Sequence, residues 1–365
     1  MGVFRNDEAV SESKVLDALR AVKDPDLQQD IVSLGLVKDL KIDKGKVEFA
    51  VELTTPACPV KDQLKAEVEN AVARLRGVTS VIAHMTFKVS SRLGPQARTL
   101  IPQVRNTIAV ASGKGGVGKS TVAANLAIAL MKYGAAVGLM DADVYGPSIP
   151  ILMGAFEPPK VTQQERFVPP VMRGVKLISM GYFLPKDEAV IWRGPMLHKM
   201  INQFLGEVDW GELDYLVIDL PPGTGDIQLS LCQTIPLTGA VIVSTPQDLA
   251  LEVASKAIAM FRKLKTPILG VLENMSYYVC SHCGERDEIF GHGGARKASE
   301  KLGYPFLGEI PLSSLIRDRS DRGEPMALDN DNNPHTQAFL QIASAVAAQV
   351  SIANYSSPPT VSIEA

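Results

Sequence analysis

The sequence predicts an α/β protein with a mostly parallel sheet and crossover helices, preceded by a small α+β domain. Three observations lead there. From Thr107 onward, short apolar runs alternate with helical stretches. Before that, a strand of strict period two lies between two amphipathic helical patterns. Between the two textures, Ser90–Arg105 loses its periodicity. A chain of 365 residues is expected to hold two domains.

In the first domain, residues 1–90, Ser11 or Ser13 is placed to cap a helix carrying Val15, Leu16, Leu19 and Val22 on one face. Val47, Phe49, Val51 and Leu53 alternate with Glu48, Ala50 and Glu52, the period of a half-buried strand. Pro59 opens a second helix, with Val60, Leu64, Val68, Val72 and Leu75 on one stripe. A further strand is expected near Val78–Val89. Residues 91–105 read as a linker, because they hold Gly94, Pro95, Pro102, Arg92, Arg98 and Arg105 with little periodicity.

The second domain is expected over residues 106–351. Its strand candidates are Ile108–Ala111, Ala135–Met140, Tyr215–Asp219, Ala240–Ser244 and Ile268–Leu272. Apolar runs of this kind suit a parallel sheet covered on both faces. Thr336–Ser351 reads as an Ala-rich helix. Residues 352–365 read as a disordered Ser/Pro tail.

Composition bounds the function. Hydrophobic residues at 46% and charged residues at 21% exclude wholesale disorder. A net charge of −3 gives no global basic field, so no nucleic acid is expected as a partner. Four cysteines are too few for a disulfide scaffold and read as reduced thiols. Met1–Val10 carries Arg5, Asp7 and Glu8 without an apolar core, which does not fit a signal peptide. No apolar run reaches about 18 residues without polar interruption, so no membrane span or membrane partner is expected. A cytoplasmic location is the resulting expectation.

The strongest motif is Gly113-Lys114-Gly115-Gly116-Val117-Gly118-Lys119-Ser120. It follows an apolar run and precedes Val122, Leu126, Ala129 and Leu130 at helical spacing, and Thr121 directly after it is counted with the loop as nucleotide-binding. This is G-x-x-x-x-G-K-[ST] in the strand–loop–helix context of a P-loop NTPase. The glycines let backbone N–H groups converge on phosphate oxygens, and the helix N-terminus adds partial positive charge. Lys119 supplies a charge to the β- and γ-phosphates, and the Ser120 hydroxyl can ligate Mg2+. Tyr215–Asp219 ends an apolar strand in a carboxylate, the arrangement that holds Asp219 beside that metal. Asp141 and Asp143, two apart at a strand end, face the same way.

Cys280-Ser281-His282-Cys283 is a lone C-x-x-C, weak by itself. Zinc needs about four ligands, and one chain offers two thiolates with His282 and His292 as further candidates. Two chains related by a two-fold axis would supply four thiolates, enough for a [4Fe–4S] cluster. Cys58 precedes a helix whose positive end would favour the thiolate for a transient cluster contact. A packed small cysteine is the equal alternative. Cys232 reads as core.

Taken together, these residues carry a resemblance. Lys114-Gly-Gly-Val-Gly-Lys119-Ser120 resembles the deviant Walker A loop shared by MinD, ParA, the arsenite-pump ATPases, the nitrogenase iron protein and the Mrp proteins. Adding Asp141–Ser148, Trp192–Met196, Asp219–Asp226, Glu273–Ser276 and the Cys280/Cys283 pair, residues 105–350 resemble the Mrp/ApbC iron–sulfur carrier proteins. The first 90 residues resemble the small domain found in iron–sulfur assembly factors. The resemblance implies an ATPase that binds a [4Fe–4S] cluster at a homodimer interface. Scaffold proteins would load the cluster, and apo-proteins would receive it. It implies that Lys114 acts in trans on the partner's nucleotide, with a solvated loop lysine as the alternative. By the same alignment Asp143 activates the attacking water, Gly223 bonds the γ-phosphate through its N–H, and Asn274 contacts the purine. A strand-end turn residue is the other reading of Asn274.

Two competitors are a positioning ATPase of the MinD/ParA kind and a metabolic kinase on the same fold. The MinD and ParA classes do not explain the cysteine pair. No Lys or Arg follows Arg322, so the basic lipid-binding helix of MinD-type chains is not expected. No kinase substrate pocket has a signature here.

Overall fold

The structure is a computed structural model that describes residues 10–91, 93–94, 99–184, 194–247, 250–280 and 282–356. The chain forms two compact units, Met1–Ser90 with Tyr355–Ala365, and Ser91–Asn354.

The first unit holds α1 (Glu12–Leu19), β1 (Val37–Asp43), β2 (Lys46–Leu53), α2 (Lys61–Ala73) and β3 (Ser80–Phe87). Ser11 is the cap of α1, its side chain accepting from the Lys14 N–H. The sheet order is β1-β2-β3, antiparallel then parallel. Strand β1 was not expected. It joins β2 through Lys44 and Gly45, both at positive φ (46° and 84°), the twist a two-residue hairpin requires. Val15, Leu19, Phe49, Val51, Val68 and Val72 form the core.

The first strand of the second unit is β4 (Val104–Ala111), which starts two residues before the expected boundary of the second domain, while Leu93 and Ile101 of the expected linker already pack into this unit's core. It continues through α3 (Lys119–Lys132), β5 (Val137–Asp141), α4 (Ile149–Met153), β6 (Lys160–Val161), β7 (Phe167–Val168), β8 (Val171–Met172) and β9 (Val175–Ser179). Then come α5 (Gly194–Gly206), β10 (Leu213–Asp219), α6 (Asp226–Thr234), β11 (Gly239–Ser244), α7 (Ala250–Lys263) and β12 (Ile268–Val279). The last elements are β13 (Arg286–Asp287), α8 (Gly294–Leu302), β14 (Phe306–Leu312), α9 (Ser314–Asp321) and α10 (Pro334–Ser356). The main sheet runs β13-β12-β11-β4-β10-β5-β9-β8, with β14 also paired to β12. Its central strands are parallel. Strands β5 and β11 are buried at every residue, as helices on both faces demand.

Two expectations change at the C-terminus. The helix continues to Ser356, so the first five residues of the expected tail, 352–356, are helical, while residues 357–365 lie outside the described residues. Pro334–Tyr355 is also long and apolar enough to cross a membrane by length and composition, contrary to the sequence reading. Half of that window is buried inside the molecule, through Phe339, Ile342, Ala343, Val346, Ala347 and Val350. Those contacts are those of a core helix. Trp192 and Arg193 of the fingerprint lie outside the described residues.

Candidate functional site

The parallel register sets the site. Asp219 of β10 lies opposite Val110 of β4 and Asp141 of β5, so three neighbouring strands end at one level. Beyond them the chain turns through Ser112–Gly118 into α3. Ligands of open parallel sheets sit at this carboxyl end. Gly116 and Gly118 both have φ of 77°, a conformation glycine adopts without strain. At Gly118 a Cβ would stand 2.2 Å from Asn274 Nδ2, and at Gly113 one would stand 2.3 Å from the Val253 carbonyl oxygen. Both close approaches exclude a side chain.

A cavity of about 290 Å³ opens over this loop, lined among others by Gly115, Lys119, Ser120, Thr121, Asp143 and Pro222. Lys119 is almost fully buried, and its Nζ donates to Asp219 Oδ1 at 2.5 Å and to Ser120 Oγ at 3.3 Å. Asp143 Oδ2 stands 3.6 Å from the same nitrogen. Burial pushes the Asp219 carboxyl up, and the neighbouring Lys119 opposes that shift. Its second oxygen, Oδ2, is buried with no hydrogen-bond partner among the described residues.

Asp141 and Asp143 divide their work. Asp141 Oδ1 accepts from the Asp143 N–H at 3.1 Å, and Oδ2 accepts from Ser179 Oγ at 2.9 Å and the Ile149 N–H at 3.2 Å. Burial, then the charge of Asp219, pushes it up to about 7. Asp141 therefore braces the loop 142–149. Asp143 Oδ1 accepts from the Tyr145 and Gly146 N–H groups at 3.1 and 3.2 Å, which aims its other oxygen at Lys119.

The structure brings Gly113–Thr121, Asp143 and Asp219 together. Lys114 of that loop and two further residues stand differently from their expected contacts. Lys114 Nζ donates to Gln247 Oε1 of its own chain at 2.9 Å. The Gly223 N–H, expected on the γ-phosphate, here donates to the Ser112 carbonyl at 3.0 Å. Asn274 is buried and donates from Nδ2 to the Val117 carbonyl at 2.8 Å, holding the phosphate loop from beneath. Sequence reading missed Gln247 and Ser179. Both stand at or just beyond the C-terminal end of a sheet strand, and that position was the available signal.

The cysteine pair sits on the tip between β12 and β13, which pair antiparallel at Tyr278–Asp287 and Val279–Arg286. The Cys280 N–H donates to the Glu285 carbonyl and the Gly284 N–H to the Cys280 carbonyl, both at 2.9 Å, closing a tight turn. Backbone N–H groups of Cys283 and His282 hold the Cys280 thiol below its ordinary pKa. Cys280 is partly exposed and Cys283 exposed. His292, a zinc candidate, instead bonds Glu309 Oε2 through Nε2 at 2.9 Å. Among the described residues, the one group of three close enough to hold a metal is Glu273, His292 and Glu309, which contains no cysteine.

The remaining cysteines are packed. Cys58 joins the first unit's core, and burial, then Asp26 and Asp24, raise its thiol pKa, although the Val60 N–H opposes them. Of the two readings offered for Cys58, these contacts fit the packed cysteine: α2 starts only at Lys61, and apolar packing dominates. Burial likewise pushes Cys232 up to about 12.

Residues 103–347 match the family described as "NUBPL iron-transfer P-loop NTPase", and residues 12–83 match "Iron-sulfur cluster assembly protein". The iron-sulfur cluster carrier protein of Deinococcus radiodurans is 46% identical over 94% of this chain and 97% of its own length. The protein of that name from Synechocystis is 44% identical over 93% and 98%. Among solved structures, a nucleotide-binding protein from Archaeoglobus fulgidus in complex with ADP is 43% identical. It covers 66% of this chain and 96% of its own, with a TM-score of 0.58. The Pyrococcus furiosus cell division ATPase MinD, 23% identical with a TM-score of 0.50 over 66% of this chain and 98% of its own, shares the fold.

Proposed function

The chain belongs to the NUBPL iron-transfer P-loop NTPase family, and from that premise we propose that it hydrolyses ATP slowly while carrying a [4Fe–4S] cluster between two copies of itself for transfer to apo-proteins. One observation carries the cluster reading: the Cys280/Cys283 turn presents two thiols, and no third ligand of its own chain stands with them among the described residues. A second copy supplies the missing pair, giving the four-thiolate set of a [4Fe–4S] cargo.

For the nucleotide, the N–H groups of Gly115, Gly116, Val117 and Gly118 cradle the phosphates. Lys119 exchanges Asp219 for the β- and γ-phosphates. The donor set fits Mg2+: Asp219 Oδ2 is buried without a geometric hydrogen-bond partner among the described residues, and the Ser120 hydroxyl meets the same Lys119 ammonium as Asp219 Oδ1. Held there by Ser120 and Asp219, Mg2+ would neutralise phosphate charge. Asp143 accepts a proton from the attacking water at its Oδ2. The Gly223 N–H leaves the Ser112 carbonyl to donate to the γ-phosphate. Asn274 keeps Val117 with its amide and offers Oδ1 to the purine. Lys114 leaves Gln247 to reach the partner's nucleotide, which ties hydrolysis to dimer formation and makes turnover slow. Scaffold proteins load the cluster.

Three variants test the two halves. Lys119→Ala is expected to abolish ATP binding in a calorimetric titration, and unchanged affinity would refute the P-loop assignment. Cys280→Ala and Cys283→Ala are each expected to lose the visible absorption of an anaerobically reconstituted cluster. A full cluster in both variants would sink the carrier reading.

A further inference from the structure

Strand β12 joins the two halves of the site. It holds Asn274 under the phosphate loop and runs on to Val279, the residue before the cysteine turn. The strand is irregular between these points. Met275 has φ of 58°, a strained value for a side-chain-bearing residue, and the pairing with β14 slips between Asn274 and Tyr278. A joint therefore lies between nucleotide and thiols, and the polar groups around it decide how stiff it is.

Those groups form one network. Glu273 of β12 and Glu309 of β14 stand directly opposite one another, an arrangement that repels unless each charge is met. Glu273 is fully buried and accepts from the Gly293 and Ala295 N–H groups at the start of α8, at 3.0 and 2.7 Å. Glu309 faces His292 Nε2 at 2.9 Å and Arg286 Nη1 at 3.8 Å. Between the carboxylates lies the buried Ser276 hydroxyl, 2.6 Å from Glu273 Oε1 and 3.1 Å from Glu309 Oε2. Arg286 belongs to β13, where it pairs with Val279, and its guanidinium lies 3.8 Å over the Tyr277 ring. Glu309 thus meets both sides of the joint: its strand position stands opposite Glu273 before the bulge, and its carboxylate meets Ser276 and Arg286 beyond it, on the side of the cysteine turn.

We propose that Glu309 is a positioning residue which, through Ser276 and Arg286, fixes the Cys280–Cys283 turn relative to Asn274 and so makes the thiols respond to nucleotide. Removing its charge leaves the Arg286 guanidinium with Tyr277 and without its carboxylate, and weakens the Ser276 contact beyond the Met275 bulge. A change at the phosphate loop then stops at the bulge. The inference rests on the ATP site and the cargo thiols proposed above.

The test uses the full chain without cluster and follows iodoacetamide alkylation of Cys280 and Cys283 by mass spectrometry, with and without Mg-ATP. In the wild type, Mg-ATP is expected to change the alkylation rate by about fivefold, the lower end of typical coupling between sites. Glu309→Gln and Ser276→Ala should bind ATP with wild-type affinity and lose that response, while Arg286→Lys should retain more of it than Arg286→Ala. A wild-type chain that binds ATP without any alkylation response would overturn the proposal, as would a full response in Glu309→Gln and Ser276→Ala. Absence of ATP binding in the wild type would indict the P-loop assignment instead. Failure of the reconstituted chain to hold iron would indict the cargo reading alone.

Discussion

At the residue scale, Lys119 stands at the centre of the proposed nucleotide site. Its ammonium is buried beside Asp219 and Asp143, so each charge depends on the others for compensation. Removing one partner of such a group typically costs about 3–5 kcal/mol, and an arriving phosphate can take over the lysine without leaving it unpaired. Asp143→Asn separates positioning from proton transfer. The asparagine oxygen still accepts the Tyr145 and Gly146 N–H groups, so ATP affinity should hold while single-turnover hydrolysis slows by about 10²–10⁴. Equal hydrolysis rates would remove Asp143 from the chemistry. In the first unit, burial and then the charge of Asp24 raise Asp26 to about 6. Its native carboxyl keeps a proton that the unfolded chain releases above about pH 4. Stability from this group is therefore highest at low pH and is lost as pH rises to about 6. Urea melts of wild type and Asp26→Asn should diverge over that window, the wild type losing ground as pH rises, and parallel curves would contradict the assignment.

At the scale of elements, apolar runs located strands β4, β5, β10, β11 and the start of β12, because parallel strands covered on both faces carry little else. The same rule ended β12 at Leu272, seven residues early. Glu273, Asn274 and Ser276 broke the apolar run, yet all three are buried, each satisfied by a partner distant in sequence or across the bulge. No local signal marks such residues. Gly223 and Lys114 were legible as residue types at fixed spacing, while their present partners, Ser112 and Gln247, depend on tertiary approach. Close packing also makes one glycine diagnostic. At Gly138 in β5 a Cβ would lie 2.7–2.9 Å from Leu213, Leu216 and Trp210. Gly138→Ala should cost about 1–3 kcal/mol in a chemical melt, the range for overpacked cores, and leave ATP affinity unchanged. A neutral variant would mean that this layer gives way easily.

At the scale of the whole molecule, two features of one chain point to a second. In the proposed carrier the Cys280/Cys283 turn supplies half of a four-thiolate set, and Lys114 lies in a P-loop that resembles those acting across a dimer. The four cysteines accordingly divide by environment: Cys58 and Cys232 are buried with raised thiol pKa values, whereas the pair at the strand tip faces solvent. The most direct test of the carrier account is iron and acid-labile sulfide analysis, with a Mössbauer spectrum and the mass in solution, on anaerobically reconstituted protein. The account predicts a [4Fe–4S] spectrum, with about four iron and four sulfide per two chains and the cluster confined to the dimer. One zinc per chain, or a cluster held by a monomer, would contradict it.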